Sequence, residues 1–311
     1  MAKNAVKEKP ETQEDPKLAS SQGQLATQNQ QHQQVAEANL MDEITGGEDM
    51  GLSKDAADNM VPLIYLLQSG SPQVKPGEPA RIDGAEQGDI WLRGAEKQII
   101  KGSQGIVFQP CYFYKELVEW MPDRGGYVAR HDITLMETKG GKTTFKGDLA
   151  DVKEVPNPQD ATRKIFARPN GNTIVETRCF AGYVHEEGFM PMPFIINLSS
   201  TGHTFAKNWM FQQNSQQWKG KPVTKSWVFL WRLKTTLKKN TKGSWYMYSA
   251  TKERMIGNMD KETADQAQFN SEYMLGKTLY DAMLSGAMKA EAPIEQGDEA
   301  TGNQMDDNSE M

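Results

Sequence analysis

The chain predicts a mainly β (α+β) fold, a barrel, sandwich or twisted antiparallel sheet followed by one C-terminal helix, on three observations. Between residues 90 and 184 short β-prone runs alternate with Gly-rich turn clusters, the rhythm of an all-β domain rather than of βαβ units. An apolar stripe of helical spacing occurs only late, at about residues 260–288. Both ends of the chain are polar and lack apolar periodicity. That places the packed β domain at residues 51–290, between disordered arms at 1–50 and 291–311.

The elements follow in order. Residues 1–50 are polar and glutamine-rich (QGQLATQNQQHQQ), with too little apolar surface to offset the entropy of ordering. Ser53 followed by KDAADNM reads as a helix start, and VPLIYLLQ at 61–68 as a short buried element interrupted by Pro62. Residues 69–89 are dense in Gly and Pro and read as an irregular connection. Then come DIWLRG, KQIIKG, GIVFQPCYFYKELVEWM, GGYVARHDITLMET and GGKTTFKG, each a strand bounded by turn residues. Within them Tyr112, Phe113, Tyr114 and Trp120 precede Arg124, which suits a buried strand leading into a hairpin, or a stacking strand with a basic tip. A basic run (Arg163, Lys164, Arg168) and an Asn170-Gly171 turn lead into TIVETRCFAGYV. In MPMPFIINLSS, Pro191 and Pro193 point to an edge strand or an extended approach rather than to a central strand. Residues 202–217 fit one helix, and KSWVFLWRLKTTL and SWYMYSATK fit a hairpin around the loop KKNTKG. Alternation in its first strand sends Trp227, Phe229, Trp231 and Leu233 to one face, the core. The helix at about 260–288 carries Met274, Leu275, Thr278, Leu279, Ala282, Met283 and Gly286 at i, i+3, i+4 spacing.

Charge divides the chain more sharply than length. Residues 1–50 hold four bases and nine acids, residues 51–290 hold 31 and 25, and residues 291–311 hold none and seven. From residue 188 to residue 252 there is no Asp or Glu at all, against ten bases and five of the seven tryptophans. Ordinary solvated surface mixes both signs, so this window is set apart. Cations interleaved with flat rings suit a polyanion with faces to stack on, and single-stranded nucleic acid is that partner. The candidates in the window are Lys207, Trp209, Phe211, Trp218, Lys219, Lys221, Lys225, Arg232, Lys234, Lys238, Lys239, Lys242, Tyr246 and Tyr248. With no helix-turn-helix or zinc finger to read base edges, sequence preference should be weak.

Other chemistries find little support. Cys111 and Cys179 form no CxxC and the four histidines are scattered, so neither a zinc framework nor any other cofactor is expected. Nucleotide-binding, serine-hydrolase and metalloprotease motifs do not occur, and an enzyme is not expected. A metal-dependent nuclease could draw only on Asp148, Asp151, Glu176 and Arg178, whose spacing does not make them converge. No apolar run approaches the roughly 18 residues of a membrane span, and the N-terminus has no apolar signal core, so a cytoplasmic location is expected.

A basic, ring-bearing β domain followed by a helix and an acidic tail resembles the tailed-phage single-stranded DNA-binding proteins. The resemblance implies an OB-like barrel, a place in the host cytoplasm, and a role in DNA replication, recombination and repair as a coat on transient single strands. It also implies that the tail acids Glu291, Glu295, Asp298, Glu299, Asp306, Asp307 and Glu310 recruit replication or recombination proteins. Their charge would in addition compete with DNA for the basic groove. Two other readings use the same residues: a strand-annealing protein sharing the groove, and a virion structural or scaffolding protein whose rings are all core. Homo-oligomerisation is compatible with each.

Overall fold

The computed structural model describes residues 60–95, 99–122, 125–158, 160–187, 190–241 and 243–293. The expected helix start at Ser53, the arm at 1–50, the tail beyond residue 293, Arg124 and Lys242 lie outside them. Among the described residues the fold is mainly β, a strongly curled half-barrel sheet with a C-terminal helix.

Two long strands are its spine. In chain order the strands before them are β1 (Met60–Val61), β2 (Leu63–Leu66), β3 (Ile90–Leu92) and β4 (Ile99–Ile100). The first spine strand is β5 (Ile106–Trp120), followed by β6 (Tyr127–Asp132), β7 (Met136–Lys139), β8 (Lys142–Phe145), β9 (Lys153–Asn157) and β10 (Asp160–Ala167). The second is β11 (Thr173–His185), which pairs with β5 antiparallel along its whole length. Neither strand is straight. A bulge lies between Ala181 and Gly182, where the register steps from Tyr112 to Pro110, so a residue without an N–H falls at the irregularity. Gly182 is required there, because a Cβ would stand 2.2 Å from the Gln109 carbonyl oxygen.

Each half of the spine builds its own lobe. The first half of β5 and second half of β11 join β12 (Met192–Ser199), β15 (Phe229–Asn240) and β16 (Gly243–Met255), giving the order β16-β15-β5-β11-β12-β2-β3-β4. Inside this curl Ile106, Phe108, Phe180, Phe194, Ile196, Trp231 and Leu233 pack as one core. Helix α1 (Gly202–Asn214) drives Phe205, Ala206 and Trp209 into it, with the Trp209 ring 4.6 Å from Phe180 and 5.5 Å from Phe205. The free edge of β16 is met by a side chain imitating a strand. Gln68, just beyond β2, donates from its amide to the Tyr246 carbonyl and accepts from the Tyr246 N–H, both at 2.9 Å.

The other halves of the spine, with β6 on one side and β10 and β9 on the other, enclose a smaller core of Leu117, Leu149, Val152 and Ile174. Glu119, whose side chain is 4% exposed, ties this lobe together. It meets His131 at 2.8 Å, Arg168 at 3.2 Å and Asn172 at 2.6 Å. Arg168 also reaches Asp151 at 3.2 Å and the Asp148 carbonyl at 3.1 Å. Burial alone would raise the Glu119 pKa, but the Asn172 and His131 hydrogen bonds and the Arg168 charge outweigh it and hold the carboxyl below its ordinary range.

Helix α2 (Gln266–Ser285) covers the outer face of the spine, packing Leu279, Tyr273 and Tyr280 against Cys111, Trp227 and Tyr183. Gly276 permits the close approach, since a Cβ there would lie 2.6 Å from the Trp227 Cβ. The helix starts later than its apolar stripe suggests. The chain turns at Ile256–Asn258 with Gly257 at φ 56, and Asp265 then caps α2 by accepting from the Gln268 N–H. Behind it lies a buried polar chain. The Gln109 amide donates to the carbonyls of Trp227 and Glu272, which leaves its oxygen to accept from the His185 Nε2–H at 2.9 Å. Burial pushes His185 from 6.5 down to about 4. The unfolded chain therefore takes up a proton near pH 6.5 that the native state refuses until about pH 4, and stability drains away as pH falls across that interval. Thermal melts of a His185→Gln variant should show a shallower acid slope between those pH values than the parent chain.

Three expectations change. Residues 192–199 are not a simple edge: β12 pairs with β11 along its length and with β2, in parallel, at Ile195 and Ile196. Pro193 escapes conflict because β2 pairs with β12 only at Ile195 and Ile196 and stops short of it. The basic loop is also shorter than expected. The ladder of β15 and β16 runs through Lys238 and Lys239 to the pair Asn240 and Gly243, which leaves only residues 241 and 242 between the strands. Finally, α1 ends at Asn214 rather than about residue 217.

Candidate nucleic-acid interface

The carboxylate-free window separates into core and surface. Trp209 (0% exposed), Trp231 (2%) and Trp227 (3%) are inside, and so is Tyr248 (5%). Trp209 and Tyr248, both expected to contact bases, instead fill the half-barrel, because α1 lays its apolar face on β16 and brings Phe205 within 5.8 Å of Tyr248. Tyr246 is half-buried, its backbone taken up by Gln68.

Two rings remain outside. Phe211, on the last turn of α1, is 74% exposed, and Trp218 is 36% exposed. Trp218 lies on a miniature hairpin of β13 (Gln217–Trp218) and β14 (Lys221–Pro222). Its two-residue turn holds Lys219 at φ 49 and Gly220 at φ 75, the left-handed pair such a tight turn needs. The turn folds Lys219 back over its neighbour, with Nζ 4.6 Å from the centre of the Trp218 ring. Lys221 and Lys225 are exposed beside it. Within fifteen residues of chain the fold thus presents two open rings and three lysines. Lys207, one turn back on α1, is exposed as well.

The β15–β16 hairpin supplies a second basic group. Lys234 and Lys238 alternate onto one face and Lys239 onto the other, all three exposed. Lys238 stands directly opposite Trp245, a half-buried indole whose N–H has no partner. Trp245 is not among the expected contacts, because the sequence reading assigns Lys238 to the loop and only the longer ladder brings the two together. Arg232 leaves the set. Its guanidinium forks onto Glu253 at 2.8 and 3.1 Å, a hydrogen-bonded pair that holds the Glu253 carboxyl below its ordinary range. The acid lies one residue past the window, on the strand opposite.

The carboxylates weighed for metal chemistry are spread among cations. Asp151 pairs with Arg168, and Glu176 with Lys115 at 3.2 Å and Arg178 at 3.5 Å. Among the described residues no group of three or more His, Cys, Asp or Glu side chains could hold a metal ion, and no helix is long and apolar enough to cross a membrane. Glu291, expected in the free tail, is instead anchored: its carboxylate meets Arg93 at 2.7 Å and its carbonyl accepts from Arg130 at 2.6 Å. The other tail acids, Glu295 to Glu310, lie outside the described residues.

Fold and site together define a mainly β half-barrel with a carboxylate-poor surface of lysines and open rings. The pattern of the Pam3 phage gp34-like protein family matches residues 28–289, well over half of the chain, and the chain belongs to that family. It is therefore a phage protein. No curated protein and no solved structure matches it.

Proposed function

We propose that this phage protein binds single-stranded DNA, coating it during replication and recombination without cleaving it. The observation that carries the reading is the cluster of Phe211 and Trp218 with Lys219, Lys221 and Lys225, where solvent-facing rings adjoin cations and no carboxylate interrupts them. Bases would stack on the rings while the lysines follow the phosphates, with the hairpin lysines Lys234, Lys238 and Lys239 extending the track. Each neutralised phosphate of a single strand contributes about −0.7 to the slope of log affinity against log salt. A fluorescent oligo-dT titrated at several salt concentrations should then give a slope of about −2 to −4 for three to six engaged lysines. A slope near zero would remove the phosphate track.

The tail enters this reading as a competitor. Residues 294–311 carry six acids and no base, and they follow a segment pinned by Arg93 and Arg130, so their charge is tethered to the domain at high effective concentration. Removing residues 294–311, and leaving Glu291 in place, should tighten oligo-dT binding at about 50 mM salt and less so at about 200 mM, where screening is stronger. Equal affinities for full-length and truncated chains at both concentrations would remove the tail from the mechanism. Recruitment of replication proteins by the displaced tail belongs to the same proposal.

A further inference from the structure

Alternation carries one face of the spine from the core of the half-barrel to the core of the smaller lobe: Phe113 lies opposite Phe180, Lys115 opposite Arg178, then Leu117 opposite Glu176. Two cations thus stand directly across the ladder from each other where the lobes meet, an arrangement that destabilises a sheet unless an anion compensates it. One carboxylate does so in part. Glu176 meets the Lys115 Nζ at 3.2 Å and the Arg178 Nε at 3.5 Å, but that Nε has no hydrogen-bond partner. The Arg178 side chain is only 12% exposed, so its charge is held largely away from water beside a carboxylate that its Nε does not hydrogen-bond. Helix α1 brings a third cation. Its first turn is fastened over β11 by His203, whose Nε2–H donates to the Glu176 carbonyl at 3.0 Å. Burial holds His203 below its ordinary 6.5, so at neutral pH it stands uncharged. Lys207, exposed four residues further on, is near enough for its charge to act on the His203 ring. Three permanent cations and one carboxylate leave this junction with positive charge in excess.

The same helix links the junction to the open rings. His203, Lys207 and Phe211 follow one another at four-residue steps and form one stripe along α1. At about 1.5 Å of rise per residue the stripe spans about 12 Å, with Phe211 at one end and the Lys115–Arg178 pair beneath the other. We infer that the lobe junction holds a backbone phosphate of the bound strand, contacted by Lys115 and Lys207 with the Arg178 charge beneath them. The inference rests on the single-strand reading and deepens it by giving the strand a path, along α1 from the open rings to the junction. Glu176 is then the anion that occupies the cations when no strand is bound, and a competitor when one is. Lys115 and Arg178 both lie outside the carboxylate-free window, so a count of charge along the chain does not find them.

The test titrates the full-length chain with fluorescent oligo-dT at several salt concentrations. Lys115→Gln should make the slope of log affinity against log salt shallower by about 0.7, the share of one phosphate, whereas Lys289→Gln, at an exposed lysine beyond α2, should leave it unchanged. Glu176→Gln should tighten binding about two- to five-fold at about 50 mM salt, the scale of one partly exposed ion pair. Damage to the fold would weaken binding instead, so the sign of that change separates contact from structure. If Glu176→Gln does not fold, Lys115→Gln decides alone, since that side chain is 40% exposed. Inorganic phosphate at matched ionic strength should displace the strand no better than chloride, because the junction acts on a strand already held by the rings. Displacement by low-millimolar phosphate would make it a free-anion site and overturn the assignment. Equal slopes for the parent chain and Lys115→Gln, or binding by folded Glu176→Gln that is unchanged or weaker, would overturn it as well. Tight oligo-dT binding that ignores these substitutions removes the junction alone, whereas a parent chain that does not bind oligo-dT removes the coating role and the junction's phosphate with it.

Discussion

Replacing Phe211 and Trp218 together by Ala should weaken oligo-dT binding about 30-fold or more while leaving the melting temperature nearly unchanged. Each base stacked on an aromatic side chain is worth about 1–3 kcal/mol, so two rings supply about 2–6 kcal/mol, and the lower figure alone is about a 30-fold change. Stability should hold because both side chains face solvent, at 74% and 36% exposure, and surface substitutions of this kind usually stay within about 0.5 kcal/mol. Trp209→Phe is the informative contrast. That ring is 0% exposed between Phe180, Phe205 and Trp231, so the substitution should lower stability first and alter binding only as the fold loosens. Equal losses of binding from the core and the surface substitutions would mean that the rings report fold integrity rather than contact.

Arg168→Ala should have the largest effect on stability, about 2–3 kcal/mol. Removing one partner of a buried ion pair typically costs about 3–5 kcal/mol because the other charge stays behind, and the lower figure applies since Arg168 is a quarter exposed. Glu119 would keep His131 and Asn172 but lose the cation that links it to Asp151 and the Asp148 carbonyl. Adding Glu119→Gln should restore part of the loss by removing the stranded charge. Denaturant titrations of the two single variants and the double variant would check this, and additive losses in the double variant would show that the pair is not coupled.

The sequence made the strands legible and the sorting of side chains much less so. Alternation and Gly-rich turns were enough to locate β5, β6, β11 and the β15–β16 hairpin, because each is a local pattern of period two. The placing of Phe229, Trp231 and Leu233 in the half-barrel core followed from the same alternation, whereas Trp227 falls in a short 3-10 turn before β15 and packs on the outer face beneath α2. Trp209 and Trp218 could not be told apart that way. Both stand in polar surroundings, and only the docking of α1 across the half-barrel decides that one is core and the other surface. Phe205, four residues before Trp209 and on the same helical face, was the available signal. Arg232 was misjudged for another reason. Counting charges inside a window ignores the strand across from it, and Glu253 reaches Arg232 through the ladder rather than through the chain. Pro193 likewise turned on a neighbour, since β2 pairs with β12 only at Ile195 and Ile196. The two lobes sharing one pair of long strands leave no mark in composition or periodicity.

The most direct measurement is binding of the full-length protein to oligo-dT and to a duplex of equal length at matched salt, with tryptophan fluorescence followed to saturation. A clear preference for the single strand, with quenching that is lost in Trp218→Ala, is the result expected if the open rings stack on bases. Equal affinity for both, or no binding even at low salt, would contradict it and turn attention to a structural role in the phage particle.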